Sequence, residues 1–172
     1  GLYTSPHLDD LRERVRVNGR TVTKATIREY AAEIEPYVRE ESPAGTPPTL
    51  FEAMTGLAVR TFARNDVDVA VFEVGIGGRH DATSALAPDG AAPGDVTLEH
   101  ADIRGETIEE IGRDMAAIEP DSEALVSAAA GEALAAISES TGEIRRVGET
   151  PTADISVTDG GRRGIEQAVT IE

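Results

Sequence analysis

Three side chains far apart in the chain, Ser5, Glu73 and His100, are of the types that hold a divalent cation beside phosphates. Each closes or follows an apolar run that reads as a β-strand. A hydroxyl, a carboxylate and an imidazole nitrogen, with water in the remaining positions, suit Mg²⁺ next to nucleotide phosphates. Parallel strands would bring the three ends into one crevice, because ligands of open α/β sheets bind beyond the carboxyl ends of the strands. The most informative run is Val67-Asp68-Val69-Ala70-Val71, leading into Phe72-Glu73-Val74-Gly75-Ile76-Gly77-Gly78-Arg79. It reads as a buried strand that delivers Glu73 as a metal ligand or general base. The glycines after it allow a tight turn and a close backbone approach to a ligand. Each member also fits a plainer role. Glu73 could be a solvated strand edge, Ser5 turn chemistry before Pro6, and His100 a structural or surface histidine.

Other chemistry-bearing residues have weaker claims. His7 and His80 fall in loops, where a polar side chain costs nothing. Arg12, Glu13 and Arg14 read as a solvated face, and the stripe Met54, Leu57 and Phe62 as core. No G-x-S-x-G elbow supports a serine hydrolase. No H-E-x-x-H or paired-histidine spacing supports a zinc site. Cysteine is absent, which excludes disulfides and thiolate chemistry.

With 172 residues there is room for one domain with a real core. Apolar residues make up 40% but aromatics only 3%, so an aliphatic core is expected. Formal net charge is -16, from 32 acidic against 16 basic residues, and the only lysine is Lys24. Dispersed acids and scarce lysine suit a cytoplasm of high salt, where screening suppresses repulsion between carboxylates. The same charge argues against nucleic acid as a partner, because no basic stripe faces phosphates. There is no run of about 18 apolar residues, so no transmembrane helix is expected. A cytoplasmic protein with no membrane partner follows.

Around the candidate site the pattern alternates. A strand end runs into a loop at Thr4-Ser5-Pro6-His7-Leu8, and Asn18-Gly19 marks a hairpin between Arg14-Val15-Arg16-Val17 and Thr21-Val22-Thr23. A helix is predicted over 26–41, opened by Thr26 with Glu29 as capping partner. A second, capped by Thr49, runs over 50–64 with Leu50, Met54, Leu57, Ala58 and Phe62 on one face. Strands follow at 67–74 and 95–100, then a helix over 107–118 opened by a Thr107/Glu110 pair. An Ala-rich helix over 123–139, a strand at 144–147 and a terminal hairpin turning at Asp159-Gly160-Gly161 complete the reading. This is an α/β fold, a mainly parallel sheet flanked by helices, with an antiparallel hairpin at the C-terminal edge. The chain opens on Gly1 in a segment that reads as mid-domain and stops in mid-strand, so a piece incomplete at both ends is expected.

These residues resemble the folylpolyglutamate synthase/dihydrofolate synthase family, the folate branch of the Mur ligases. The resemblance rests on Leu2-Tyr3-Thr4-Ser5-Pro6-His7-Leu8, Arg14-Val15-Arg16-Val17-Asn18-Gly19 and Thr49-Leu50-Phe51-Glu52-Ala53-Met54-Thr55. It continues through Val67 to Thr83, and through Thr97-Leu98-Glu99-His100 into Gly105-Glu106-Thr107-Ile108-Glu109-Glu110-Ile111. These pieces come in the family's order and cover residues 1 to about 120. The acidic composition points to a haloarchaeal member, a group in which the synthase is often fused to dihydropteroate synthase.

The resemblance implies that residues 1–172 are part of a Mur ligase-like central ATPase domain with a P-loop-type core. It implies an ATP-dependent amide ligase that phosphorylates a pteroate or folate carboxylate and joins it to L-glutamate, with Mg²⁺ as cofactor and ATP as substrate. It places Ser5, Glu73 and His100 at the family's magnesium positions, and Ser5, Pro6, His7 and Leu8 on the pterin side. Gly75, Gly77, Gly78 and Asp81 fall near the reacting phosphate. The departures are equally specific. The family's G-K-[ST] phosphate cradle is expected upstream of Gly1 and its C-terminal glutamate-binding domain downstream, so the segment alone is expected to be inactive. Met115, in Met115-Ala116-Ala117-Ile118, stands where the family has a carbamylated lysine for a second metal, and a thioether is a poor Mg²⁺ ligand. His80 and Arg104 replace leucines, as surface variation. The alternatives are a non-catalytic remnant of the enzyme, or a related Mur-type amide ligase.

Overall fold

The computed structural model describes residues 1–41, 46–94, 96–98, 105–118, 124–127, 131–140, 144–148, 153–163 and 166–171. The chain divides into two compact units, Gly1–Gly75 and Ile76–Glu172.

In the first unit a four-stranded sheet has the order β3-β2-β1-β4, with β1 Leu2–Tyr3, β2 Val15–Val17, β3 Arg20–Thr21 and β4 Val71–Phe72. Strands β2 and β3 form the expected hairpin. Asn18 and Gly19 both take left-handed backbone (φ 49° and 76°), the conformation that a two-residue turn of this hand demands. Strand β1 runs antiparallel to β2 and parallel to β4, pairing Leu2 with Val71 and Tyr3 with Phe72.

Helix α1, Lys24–Pro36, starts earlier than expected. Its cap is Thr23, whose hydroxyl oxygen accepts the Thr26 N–H at 3.0 Å, so Thr26 lies inside the first turn instead of opening it. Pro36 has no N–H to give the preceding turn, and a wider π-helical turn, Tyr37–Glu41, follows. Helix α2, Leu50–Arg64, begins as its sequence indicates, with a reciprocal capping box between Thr49 and Glu52. Met54, Leu57, Ala58 and Phe62 are buried, whereas Leu50 is exposed.

The core of this unit is not the aliphatic one that composition suggests. All three phenylalanines, Phe51, Phe62 and Phe72, gather with Tyr3 around Val15, Val22, Met54 and Leu57. Tyr3 lies 5.7 Å from both Phe51 and Phe72, and Phe62 meets Phe72 nearly edge-on at 5.4 Å. Scarce aromatic residues are therefore concentrated rather than spread. The predicted buried strand over 67–74 shortens to β4 at the sheet edge, with Val69 and Val71 exposed. Backbone pairing to β1 and the packing of Phe72 on Tyr3 and Phe62 hold it there.

In the second unit a five-stranded sheet has the order β5-β6-β7-β8-β9. Its strands are β5 Gly90–Ala91, β6 Ala124–Ser127, β7 Ile144–Gly148, β8 Ile155–Arg163 and β9 Glu166–Ile171. The first three pairings are parallel and the last is antiparallel, the expected hairpin. Both sheets are thus mixed, and the parallel character lies mostly in this one. Helix α3 is Ile108–Ala116 and helix α4 Gly131–Ser140. Val96, Ile111, Ala116, Ala133 and Ile137 form an aliphatic core.

Several elements differ from the sequence reading. The Ala-rich helix over 123–139 is instead strand β6 followed by α4. Gly131 sits at φ 58°, where a right-handed helix cannot run through, and Ala124-Leu125-Val126-Ser127 takes the place between β5 and β7. No strand forms at 96–98; Asp95, Glu99 and His100 lie outside the described residues. The Thr107 hydroxyl caps α3 through the Glu110 N–H (3.2 Å), but Glu110 returns its carboxylate to Glu106 N–H (2.7 Å), so the reciprocal box is not made. Strand β8 runs on through Gly160-Gly161 with a register shift between Asp159 and Arg162, a bulge where a turn was expected. No helix among the described residues is long and apolar enough to cross a membrane.

Leu57 is fully buried in the aromatic core. Leu57→Ala is expected to lower unfolding free energy by about 2–5 kcal/mol in a denaturant titration, through lost burial and the cavity left behind.

Candidate functional site

Because β1 and β4 are parallel neighbours, both strands end on the same side of the first sheet. The Glu73 N–H donates to the Tyr3 carbonyl at 2.9 Å, and the Ser5 N–H donates to Glu73 Oε2 at 2.6 Å. Ser5 and Glu73, 68 positions apart, therefore meet. Glu73 is exposed and makes no other hydrogen bond among the described residues. This contact runs through the Ser5 backbone N–H; the hydroxyl and carboxylate these two residues carry are of the hard-oxygen type that Mg²⁺ accepts, with phosphates and water completing its shell. His100, the third expected ligand, lies outside the described residues. Among those described, no group of three or more His, Asp or Glu side chains stands together as a metal cage. The two residues present fit a magnesium ion that relies on its substrate for most ligands.

The loop after Ser5 is held far more firmly than its sequence implies. The Ser5-Pro6 peptide is cis. Glu13 gathers three consecutive backbone donors: Leu8 N–H on Oε2 (3.1 Å), and Asp9 and Asp10 N–H on Oε1 (3.0 and 2.6 Å). Asp10 in turn caps the short 3-10 turn Leu11–Arg14 and pairs with Arg12 at 2.7 Å. Arg14 is buried and donates from Nε to His7 Nδ1 at 3.0 Å. The expected solvated face at 12–14 is thus the loop's scaffold, since carboxylate and guanidinium satisfy donors and acceptors that a loop cannot satisfy by itself. Hydrogen bonds from Asp10, Leu8 and Asp9 hold the Glu13 carboxyl below its usual range. The Arg12 side chain and backbone hold Asp10 well below the usual carboxylate range. Pro6 and Leu8 are exposed, Leu8 at 96%, leaving an apolar tip beside the Ser5–Glu73 pair.

In the second unit the glycine-rich turn packs on a helix end. Gly77 has φ 73°, and a Cβ there would strike the Asp114 carboxylate. A Cβ on Gly78 would strike the Asp114 carbonyl oxygen and come within 2.8 Å of Ile118 N and 2.9 Å of Met115 O. The Gly78 N–H donates to Asp114 Oδ2 at 3.3 Å. Both glycines are therefore required by the fold itself, before any ligand is considered. Buried Asp81 fixes the rest of the turn. Its Oδ1 accepts the Thr83 N–H (2.9 Å) and hydroxyl (2.6 Å), and its Oδ2 accepts the Ile76 N–H (3.1 Å). Gly75 closes the first unit, half-buried. Arg79 and His80 are exposed. Met115 packs against the aliphatic core of α3 and α4. An open cavity of about 450 Å³ is lined by Arg79, Arg113, Ala117 and Ser140, with Arg113 paired to Glu139 at 3.4 Å.

With this geometry in place the comparisons are specific. No protein-family model matches the chain. A Halobacterium salinarum protein described as a probable bifunctional folylpolyglutamate synthase/dihydropteroate synthase is 51% identical over 173 residues, covering 99% of this chain and 21% of the relative. A Haloferax volcanii protein of the same description is 47% identical over 176 residues, covering 100% of this chain and 21% of the relative. A solved structure described as an FPGS–AMPPCP–folate complex matches with a TM-score of 0.88 and 30% identity, covering 100% of this chain and 43% of that one. Over nearly its whole length the chain is similar to proteins described as folylpolyglutamate synthases. It spans about a fifth of the length of the curated relatives it matches. The α/β fold expected from the resemblance is that of its structural relatives. The acid-rich, lysine-poor composition is in keeping with haloarchaeal relatives.

Two outcomes test the scaffolding. Gly78→Ala should destabilise the protein by about 1–3 kcal/mol, read from denaturant unfolding, because the methyl meets backbone atoms that cannot rotate away. The Glu13 bonds contribute fully above the ordinary carboxylate range and are lost as pH falls through the lowered value. Hydrogen exchange at Leu8, Asp9 and Asp10 should therefore stay slow down to that range and quicken below it. Glu13→Gln should show fast exchange already at neutral pH.

Proposed function

We propose that the protein carrying this chain is an ATP-dependent ligase that joins L-glutamate to dihydropteroate or a folate. Residues 1–172 would form part of its Mur ligase-like central ATPase domain. The observation that carries this reading is the Ser5–Glu73 contact at adjacent parallel strand ends, in a chain similar to these synthases. The relatives' descriptions as bifunctional proteins support a fusion with dihydropteroate synthase, and the AMPPCP- and folate-bound neighbour supports both substrates. A cytoplasmic location suits these metabolites.

In the proposed reaction the substrate carboxylate takes the γ-phosphoryl group of ATP, releasing ADP. The amine of glutamate then attacks the acyl phosphate, loses a proton and expels inorganic phosphate as the amide forms. Ser5, Glu73 and His100 would hold Mg²⁺, whose chemistry is to neutralise charge on the transferring phosphoryl group. The loop of Ser5, Pro6, His7 and Leu8 would take the pterin side. Gly75, Gly77, Gly78 and Asp81 would lie on the phosphate side. The sequence holds no G-K-[ST] cradle, so these 172 residues alone are expected not to turn over ATP.

One observation favours a second reading, a non-catalytic remnant. Met115, which by the resemblance stands where the family has its metal-binding lysine, packs against the apolar core. A related Mur-type amide ligase is less well supported, since Thr4-Ser5-Pro6-His7-Leu8 resembles the folate branch.

Assays on the full-length protein in high salt decide between these. Glu73→Gln should cut Mg²⁺- and glutamate-dependent ADP release by about 10- to 100-fold. Met115→Lys should raise it, and unchanged turnover would show that this position is not limiting. Wild-type protein that releases no ADP with any pterin acceptor would support the remnant.

A further inference from the structure

Arg14 is nine-tenths buried and pairs with no carboxylate among the described residues. What it holds instead is the loop. Its Nε–H donates to His7 Nδ1 at 3.0 Å, and its backbone carbonyl accepts the Thr4 N–H at 2.9 Å, so one residue grips the chain on both sides of Ser5-Pro6. An arginine Nε is always a donor, so His7 Nδ1 has to be the acceptor. An imidazole that accepts at Nδ1 is neutral and carries its proton on Nε2; the protonated ring offers two donors and no acceptor. His7 is half-buried and makes no other hydrogen bond among the described residues. The Nε2–H is thus left over for a ligand, on a loop whose next three amides are already tied to Glu13. Such a loop loses little further freedom on binding.

We infer that Arg14 is a positioning residue that fixes His7 in its Nε2–H tautomer, and that His7 uses this N–H to recognise a neutral acceptor atom on the heterocyclic end of the pterin substrate. A ring nitrogen or carbonyl oxygen is the chemistry that fits. The substrate half of this inference rests on the assignment of the 5–8 loop to the pterin side; the tautomer half does not.

The test uses the full-length protein labelled with ¹⁵N-histidine, with His7→Gln identifying the His7 signals. The expected spectrum has a protonated Nε2 and an acceptor Nδ1, moving toward a tautomer mixture in Arg14→Lys. A proton on Nδ1 overturns the inference. Kinetics with dihydropteroate separate the two ends of the ring. Asparagine keeps an acceptor near Nδ1 but lacks the distal donor, whereas glutamine keeps a distal N–H. His7→Asn should raise KM for dihydropteroate about tenfold, the worth of one hydrogen bond. His7→Gln should stay within about threefold, with KM for ATP little changed in either. Equal KM values for the two variants overturn the substrate half, because a merely structural histidine would not distinguish them. Should Arg14→Lys fail to fold, this pair still decides the substrate half and the wild-type spectrum the tautomer. A wild-type protein without ligase turnover overturns the proposed activity and with it the substrate half, while the nitrogen spectrum alone decides the tautomer.

Discussion

The parallel pairing of β1 with β4 is the constraint on which the site depends. Two residues from each strand suffice: Leu2 opposite Val71 and Tyr3 opposite Phe72. Backbone pairing fixes the register. Aromatic packing then locks it, because Tyr3 and Phe72 share one cluster with Phe51 and Phe62. A slip by one residue would turn Tyr3 out of that cluster and carry Glu73 away from Ser5. The position of one carboxylate is thus set by four rings packed beneath the sheet.

The helices of the first unit add a second layer of support that works even in strong salt. Glu33 on α1 accepts from Arg60 on α2 at 2.7 Å, and the Arg60 guanidinium lies 5.9 Å above the Tyr30 ring. The Arg60 side chain is only 13% exposed, so its contact depends less on screened charge than the exposed Arg39–Glu35 pair does. Gly56 makes room for the Tyr30 hydroxyl, and burial raises the Tyr30 pKa. An acid-rich surface therefore coexists with contacts that salt weakens less than its exposed ion pairs.

Local signals were readable wherever a residue's role is settled by its near neighbours. Asn18-Gly19 demands its turn, and Thr49 with Glu52 starts α2 where expected. The convergence of Ser5 and Glu73 was legible because parallel strands must end together. Roles settled by distant partners were not. Ala124-Leu125-Val126-Ser127 carries helix-forming residues, but a place between two strands overrides that preference. Glu13 and Arg14 look like surface charges until Leu8, Asp9, Asp10 and His7 are seen to need them. Asp114 gave no sign of itself, since its partner is a backbone N–H 36 positions away.

The contact between Gly78 and the end of α3 reaches beyond packing. Asp114, Met115 and Ile118 all crowd the space where a Cβ would stand. The turn and the helix end therefore form one mechanical piece: whatever shifts the carbonyls of α3 shifts the Gly77-Gly78 backbone with them. Met115 meets the turn through its backbone carbonyl while its side chain packs on the aliphatic core, so one residue ties the turn's seat to the packing of the helices. Drift at these positions must proceed in concert, because each leaves its neighbours no slack.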